Sequence, residues 1–177
     1  YELSVHLQEN YDDIEIFQSP SGSLIDVPKL DVKVSVAYIV ENYVLVISMH
    51  CKQFFPEALV RGVRCINVHP GFNPYNRGWY PQIFSILNGL PAGVTIHEID
   101  EKLDHGQIIA QEKYEIKSWD TSGSVYSKIM NLERDMVLEH FDSIIEGSYS
   151  ARLPATEGNL NLRRDFDELR ELDMDQE

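Results

Sequence analysis

The sequence is poor in basic residues, which limits the partners that it can bind. Its 177 residues include 15 Lys and Arg against 29 Asp and Glu, giving a formal net charge of −14. A surface of this sign repels the phosphate backbone of long nucleic acids, so we expect no nucleic-acid partner. A small phosphorylated substrate is still compatible with this charge, because a few basic side chains and backbone N–H groups in one cleft outweigh a distant, screened field.

Cysteine is scarce, and long apolar runs are lacking. Cys51 and Cys65 have no CxxC spacing and stand beside apolar runs, so we expect reduced core thiols. No apolar run approaches the roughly 18 to 20 residues that span a bilayer, and no signal-like segment opens the chain. We therefore expect no membrane contact and a cytoplasmic location. The histidines lack HExxH or paired-cysteine spacing, so we expect no metal.

The chain is long enough for one sizeable core, and strand and helix patterns alternate along it. VLVISM at 44–49 and RCINV at 64–68 have the pattern of buried strands, and PEALVRG at 56–62 between them that of a short helix. This order predicts a βαβ unit and an α/β fold with a mostly parallel central sheet. Residues 1–150 form the predicted domain, and residues 151–177 form an acidic C-terminal extension.

The other elements follow from apolar period and turn residues. The segment 31–42 carries both periods, and we favour a helix there. The full set of further predictions is a short helix at the start of the chain, a strand at 14–18, the helix at 31–42, a helix from Pro81, strands at 93–99 and 107–116, and a long amphipathic helix at about 121–146.

Polar residues crowd the segment that joins the second buried strand to the helix at Pro81. Asn67 and His69 fall at the carboxyl end of that strand, where alternate residues point to the same side. Ligands bind at this edge of open α/β sheets. Asn67 offers an uncharged N–H donor for a developing oxyanion, and His69 offers a base. Taken singly, Asn67 could simply cap the strand, and His69 could be an ordinary turn histidine before Pro70.

Asp104, in the loop LDHG, would complete this pair. Gly106 is expected to let the backbone turn sharply, so that the carboxylate approaches His69, raises the pKa of its imidazole and holds its ring. Together the three side chains can take a proton from an attacking amine and stabilise a tetrahedral intermediate, which predicts acyl transfer without a covalent nucleophile. Of the other histidines, we expect His97 on a strand surface and His50 at the sheet edge or against a ligand phosphate.

The motifs NVHPG, NRGWYP and GVTIHEIDEKLDHG resemble those of the folate-dependent formyltransferases, and the resemblance spans roughly residues 44–118. The nearest similarity is to the sugar N-formyltransferases that act on dTDP-4-amino-4,6-dideoxyhexoses. This resemblance implies a Rossmann-like catalytic domain whose first strand is missing from this chain. It implies that Asn67, His69 and Asp104 move a formyl group from N10-formyltetrahydrofolate to the amine of a dTDP sugar, in the synthesis of O-antigen or another surface polysaccharide.

The resemblance also implies a set of binding residues. Lys52 and Arg77 would meet the pyrophosphate of the nucleotide sugar, and Trp79 and Tyr80 would shape the sugar pocket. The pterin would lie largely against backbone groups near four residues: Cys51, Phe55, Ile99 and Leu103. The plainer alternatives are that the two basic side chains are solvated and that the two aromatic rings pack against the helix at Pro81.

Other functions fit the same motifs. A methionyl-tRNA formyltransferase and a formyltetrahydrofolate deformylase are the alternative enzymes, and the net charge disfavours the first. A noncatalytic nucleotide-sugar or folate binding module is the alternative of another class. We expect a homodimer, and we interpret the acidic tail as a solvated surface.

Overall fold

The computed structural model describes residues 2–24 and 26–169, which form a layered α/β fold. Within these residues the helices are α1 (Glu2–Asn10), α2 (Val36–Asn42), α3 (Glu57–Gly62), α4 (Pro81–Asn88), α5 (Ser122–Glu146) and α6 (Arg163–Leu169). The strands are β1 (Leu45–Met49), β2 (Arg64–His69), β3 (Arg77–Gly78), β4 (Ala92–Glu98), β5 (Ile108–Tyr114) and β6 (Leu160–Asn161). The order β1-β2-β4-β5 makes the central sheet, and β3 and β6 form a separate pair.

The helices begin and end at residues suited to those positions. Each helix predicted from the sequence is present, but the one predicted at 31–42 is helical only from Val36. α4 begins at Pro81, whose ring fixes a helical φ, and ends at Gly89, which has a φ of 70°. α5 begins after Thr121, whose hydroxyl accepts from the N–H of Ser124 in a capping box, and ends at Gly147 with a φ of 69°. None of the described helices is long and apolar enough to cross a bilayer.

The central sheet is mixed. β1 pairs with β2 in parallel, whereas β4 pairs antiparallel with both β2 and β5. The α/β class is confirmed, and α3 makes the predicted crossover from β1 to β2. Within the described central sheet, one parallel pair therefore stands beside two antiparallel pairs, and the separate pair of β3 and β6 is parallel. The loop of residues 99–107 from β4 to β5 is shorter than the crossover of about a dozen residues that parallel neighbours need.

Two apolar clusters cover the faces of the sheet. On one face α5 packs on Ile66 and Val68 of β2 and on Val94 and Ile96 of β4. On the other face α2 and α3 pack over Cys65 of β2. Because successive strand residues face opposite layers, β2 contributes to both clusters. The carboxyl end of β2 therefore lies between two helical layers, which is the position of a ligand crevice in such folds.

Residues 14–18, predicted as a strand, lie outside the sheets. Gln18 makes an isolated bridge with Lys29, and its buried side chain binds backbone groups of Leu24 and Val27. The hydrogen bonds of this segment thus go to the loop that it closes, and not to a neighbouring strand. The strand prediction is wrong for this reason.

The last described residues are tied to the rest of the chain at several places. Arg152 exchanges backbone hydrogen bonds with Ile108 at 2.8 and 2.9 Å, and β6 pairs in parallel with β3. The ring of Phe166 in α6 lies 4.3 Å from that of Tyr80, centroid to centroid. The division of the chain at residue 150 stays a prediction, and residues 170–177 of the predicted extension lie outside the described residues.

Candidate active site

Three polar side chains meet at the carboxyl end of β2. Asn67 and His69 belong to that strand, and Asp104 comes from the loop between β4 and β5. Nδ2 of Asn67 donates to Oδ1 of Asp104 at 3.0 Å. Nδ1 of His69 lies 3.5 Å from Oδ2 of the same carboxylate. The structure therefore brings together the three side chains that the motifs single out for catalysis.

Asp104 is fixed by contacts at both its backbone and its carboxylate. Its φ of 47° lies in the left-handed region, which non-glycine residues seldom adopt. Nδ2 of Asn73 donates to its carbonyl at 2.8 Å, and the N–H of Gly78 donates to Oδ2 at 3.0 Å. Burial acts to raise the pKa of Asp104, but His69, His97 and the Gly78 N–H outweigh it and hold that pKa well below its usual range.

Gly106 shapes this loop through its lack of a side chain. A Cβ at this position would collide with the carbonyl of Glu98, so only glycine allows the loop to close on the end of β4. The positive φ in this stretch belongs to Asp104 and not to Gly106. The sharp turn expected at the glycine is therefore made by the catalytic candidate itself.

His69 has the properties of a neutral base. Its side chain is 5% exposed, and its Nε2 is buried with no hydrogen-bond partner among the described residues. Burial lowers the pKa of His69, the charge of Asp104 opposes this only in part, and His97, His50 and Arg77 lower it further. Asp104 favours the tautomer with the proton on Nδ1, which leaves the lone pair of Nε2 available.

His97 belongs to the same cluster, although the sequence led us to expect it on a strand surface. It stands opposite Asn67 in the β2–β4 pairing, with its Nε2 3.2 Å from Nδ2 of Asn67 and 3.7 Å from Oδ1 of Asp104. Nδ1 donates to the carbonyl of Glu98 at 2.7 Å, which assigns the proton to Nδ1. The expectation was wrong because β4 is an inner strand, and residues 92–97 are all buried.

An open cleft adjoins the cluster. Ser48, Asn67 and His97 line it on the side of the sheet, and its other residues, Asp104 among them, come from the segments after β1 and β4. His69 is absent from its described lining, so a group in the cleft meets the Asn67 amide first. All four residues predicted for the pterin line this cleft: Cys51, Phe55, Ile99 and Leu103.

The residues predicted for the nucleotide sugar divide into two groups. Nζ of Lys52 lies 5.6 Å from the ring centroid of Trp79, and Trp79 lies against Tyr80 with the ring centroids 5.7 Å apart. Arg77, by contrast, is buried, donates to the carbonyl of Leu103 at 3.4 Å and pairs with Glu157 at 3.3 Å. Lys52 thus lies with the two aromatic residues, whereas the Arg77 guanidinium binds Leu103 and Glu157.

Two further side chains, Arg163 and His50, have defined partners in this part of the structure. The guanidinium of Arg163 in α6 lies 5.6 Å from the ring centroid of Trp79. The sequence around Arg163 does not indicate this position, because Arg163 reaches the ring only through the packing of α6. His50, which follows β1, lies 2.9 Å from Oε1 of Glu133, a buried carboxylate of α5. Within the described residues, no group of three or more His, Cys, Asp or Glu side chains is arranged to hold a metal ion.

Comparison with known proteins gives related enzymes. The chain is 62% identical over 174 residues to the dTDP-4-amino-4,6-dideoxyglucose formyltransferase of Mycobacterium tuberculosis, covering 98% of this chain and 74% of that protein. A crystal structure from Mycobacterium tuberculosis, described as a candidate sugar N-formyltransferase, has 61% identity and a TM-score of 0.96 over 99% of this chain and 76% of that one.

A more distant structure includes bound ligands. The formyltransferase of Anoxybacillus kamchatkensis, solved with UDP-4,6-dideoxy-4-formamido-L-AltNAc and tetrahydrofolate, has 28% identity and a TM-score of 0.70 over 79% of this chain and 74% of that one. The family profile described as formyl transferase matches residues 29–141, which is more than half of the sequence. This chain therefore belongs to the formyltransferase family, as its motifs predict.

Proposed function

We propose that this chain moves the formyl group of N10-formyltetrahydrofolate to the 4-amino group of a dTDP-4-amino-4,6-dideoxy sugar, in the synthesis of O-antigen or another surface polysaccharide. One observation carries the proposal: an amide donor, a neutral imidazole and an ionised carboxylate converge beside an open cleft. These are the groups that acyl transfer to an amine requires. The similarity to a dTDP-4-amino-4,6-dideoxyglucose formyltransferase supports the choice of acceptor.

In the proposed reaction, His69 accepts the proton that the attacking amine loses. Its unpartnered Nε2 has a free lone pair, and its lowered pKa keeps the ring neutral near pH 7. Asp104, 3.5 Å from Nδ1, holds the ring and stabilises the imidazolium that forms. The folate supplies the formyl carbon and a leaving nitrogen. His69 returns its proton to that nitrogen, so the base is regenerated.

Asn67 is proposed to bind the formyl oxygen as it becomes an oxyanion. Both hydrogens of its amide are engaged in the structure, one by Asp104 and the other by Nε2 of His97. An incoming oxyanion therefore replaces His97 as the second acceptor, while the hydrogen bond to Asp104 keeps the amide in place. Hydrogen bonds of ligand-free sites commonly rearrange in this way when substrate binds.

The cleft beside Asn67 is proposed as the pterin site. Its walls combine an aromatic ring from Phe55 with the apolar side chains of Ile99 and Leu103, and its base carries polar groups. A flat heterocycle with several hydrogen-bonding edges suits such a lining. A folate bound there would present its formyl oxygen to Asn67, and His69 would take the proton of the acceptor amine.

Labelling of the two free cysteines tests this placement. Cys51 lines the cleft and is half-buried, so we expect a thiol reagent to modify it and 5-formyltetrahydrofolate to protect it. Cys65 is the matched control, because it is buried in the core and burial raises its pKa to about 12. Unprotected labelling of Cys51 at saturating folate would argue against the pterin site.

The alternative enzymes differ in acceptor. A methionyl-tRNA formyltransferase must attract a polyanion, which the net charge of −14 opposes. A deformylase uses water and releases formate without any amine. A noncatalytic binding module has no need of a buried lone pair on His69, whose desolvation costs free energy.

Mass spectrometry separates these functions. We expect incubation with formyltetrahydrofolate and a dTDP-4-amino-4,6-dideoxy sugar to give a product heavier by one CO unit. Formate released without the sugar identifies the deformylase instead, and failure to formylate any dTDP-amino sugar counts against the proposal. His69→Ala should abolish turnover and leave ligand affinity largely intact. A noncatalytic binding module would show no turnover even in the wild-type protein.

Two further predictions complete the proposal. We infer a homodimer, which the mass from light scattering on a size-exclusion column would check. We also infer a cytoplasmic enzyme, since a free thiol lining the cleft persists in a reducing compartment. Fractionation of the source cells would test the second point.

A further inference from the structure

The segment of residues 157–161, here named the C-terminal strap, lies directly against the loop that ends in β3. The N–H of Arg77 donates to the carbonyl of Asn159 at 3.1 Å, and the N–H of Trp79 donates to the carbonyl of Asn161 at 2.9 Å. Because β6 runs parallel to β3, these bonds fix the backbone on both sides of Gly78. Two-residue strands have little stability alone, so other contacts must hold the pair together.

Asn76 supplies those contacts. It is fully buried and has a left-handed φ of 51°. Its Oδ1 accepts hydrogen bonds from the side-chain amides of Asn88, Asn159 and Asn161 at 2.8, 2.9 and 3.1 Å. Its own N–H donates to Oδ1 of Asn159 at 2.9 Å. A buried polar network of this kind rigidifies a loop when its members are satisfied.

Gly78 connects the strap to the active site. Its φ is 91°, and a Cβ at this position would meet the carbonyl of Asn161, so the strap lies against its Cα. On the opposite side its N–H donates to Oδ2 of Asp104 at 3.0 Å. That oxygen is the one that faces Nδ1 of His69. A displaced strap would therefore change the direction of the donor that holds the catalytic carboxylate.

Glu157 adds a second connection to the same loop. Its carboxylate lies 3.3 Å from a guanidinium nitrogen of Arg77 and 3.4 Å from Nε2 of His105. Arg77 in turn donates to the carbonyl of Leu103. Leu103 and His105 are the chain neighbours of Asp104. The strap thus contacts His105 directly and reaches Leu103 through Arg77, so it is connected to both chain neighbours of Asp104.

We propose that the C-terminal strap positions Asp104 for catalysis, with Asn159 and Asn161 as positioning residues that act through Asn76 and Gly78. The segment is then part of the active-site framework and not a solvated appendage. This inference rests on the proposed function for its kinetic readout. Its spectroscopic readout needs no turnover.

The test compares Asn159→Ala with Asn88→Ala. The first variant removes one of the strap's two donors to Oδ1 of Asn76, and also the side-chain oxygen that accepts from the backbone N–H of Asn76. The second removes a donor to the same Oδ1 from α4 and leaves every strap contact in place, so it is the matched control. We expect Asn159→Ala to lower kcat by up to about 100-fold, the cost of a misplacement of about 1 Å, with KM little changed. Asn88→Ala should stay within about threefold of wild type in kcat.

The pKa of His69, measured by NMR titration of its imidazole, separates positioning from stability. Four titratable or charged side chains act on it, Asp104, His97, His50 and Arg77, and Asp104 alone among them favours imidazolium. A loosened Asp104 therefore lowers the pKa of His69 further. A variant that is merely less stable, but still folded, keeps the wild-type pKa.

The outcomes are distinct. The proposal is overturned if Asn159→Ala leaves both kcat and the His69 pKa at wild-type values, or if Asn88→Ala changes them equally. If the wild-type protein does not formylate any sugar, the proposed function fails, and the titration still decides about the strap. If Asn159→Ala does not fold, Asn161→Ala gives the same comparison, because it removes only a side-chain donor and retains the backbone pairing of β3 with β6.

Discussion

Replacing Asp104 with asparagine is the sharpest test of the active-site geometry. Both carboxylate oxygens accept hydrogen bonds from fixed donors, Oδ1 from the amide of Asn67 and Oδ2 from the N–H of Gly78, each at 3.0 Å. An asparagine at this position has only one acceptor oxygen, so its NH2 group must face one of the two donors. The same change removes the negative charge 3.5 Å from Nδ1 of His69.

The expected magnitude follows from these contacts. Hydrogen bonds to a charged group contribute about 1.5–3 kcal/mol each. In the variant neither hydrogen bond has a charged acceptor, and at one of them the NH2 group of the asparagine faces another donor. In hydrolases where a carboxylate orients a catalytic histidine, the equivalent amide substitution costs about 10,000-fold. We therefore expect Asp104→Asn to lower kcat by about 1,000- to 10,000-fold, which corresponds to about 4–5.5 kcal/mol of activation free energy.

The assay is product formation followed by mass spectrometry, with urea unfolding measured on the same samples. Asp120→Asn is the matched control, because Asp120 is another well-bonded carboxylate, with partners Lys117, Tyr114 and Lys128 far from the catalytic cluster. We expect that variant to lose stability and to keep its activity. The reasoning is refuted if Asp104→Asn retains more than about a tenth of wild-type kcat, or if both variants lose activity to the same degree.

Three further predictions concern the same region. Asn67→Ala should lower kcat by about 100- to 1,000-fold through loss of an oxyanion donor, and an unchanged kcat would remove Asn67 from the mechanism. The folded-state pKa of His69 lies below its unfolded value of about 6.5, so the unfolded chain binds more protons than the folded one. The free energy of unfolding should therefore fall as the pH drops below about 6.5. Urea titrations at several pH values should show a smaller fall for His69→Gln. His50→Ala leaves Oε1 of the buried Glu133 carboxylate without its partner and should cost about 1–3 kcal/mol in unfolding free energy. His50→Ala with Glu133→Leu should recover most of this cost, and an equal loss in the double variant would contradict the reasoning.

Much of the fold could be predicted from the sequence, because its signals are local. Pro81 and Gly89 mark the ends of α4, and Thr121 and Gly147 those of α5. The apolar runs of β1 and β2 and the helix between them give the crossover, and with it the edge at which Asn67 lies. The strand expected at 14–18 failed because a short apolar run cannot reveal whether a partner strand is present.

The missing parts of the site depend on contacts between distant segments. His97 reaches Asn67 only through the register of β2 with β4, which no local pattern specifies. The basic side chain of Arg77 looks like a phosphate ligand in the sequence, yet a carboxylate far along the chain, Glu157, pairs with it. Strands of two residues, such as β3 and β6, are too short to show an alternation of apolar and polar residues.

The surroundings of Trp79 have a practical consequence. The chain has two tryptophans, and Trp119 is 76% exposed, whereas Trp79 lies within 5.6 Å of Lys52 and of Arg163. Indole emission responds to nearby charge, and these two cations arrive from segments that only folding brings together. A Trp119→Phe protein would therefore retain Trp79 as an intrinsic fluorophore, whose emission wavelength reports whether α6 is docked beside it.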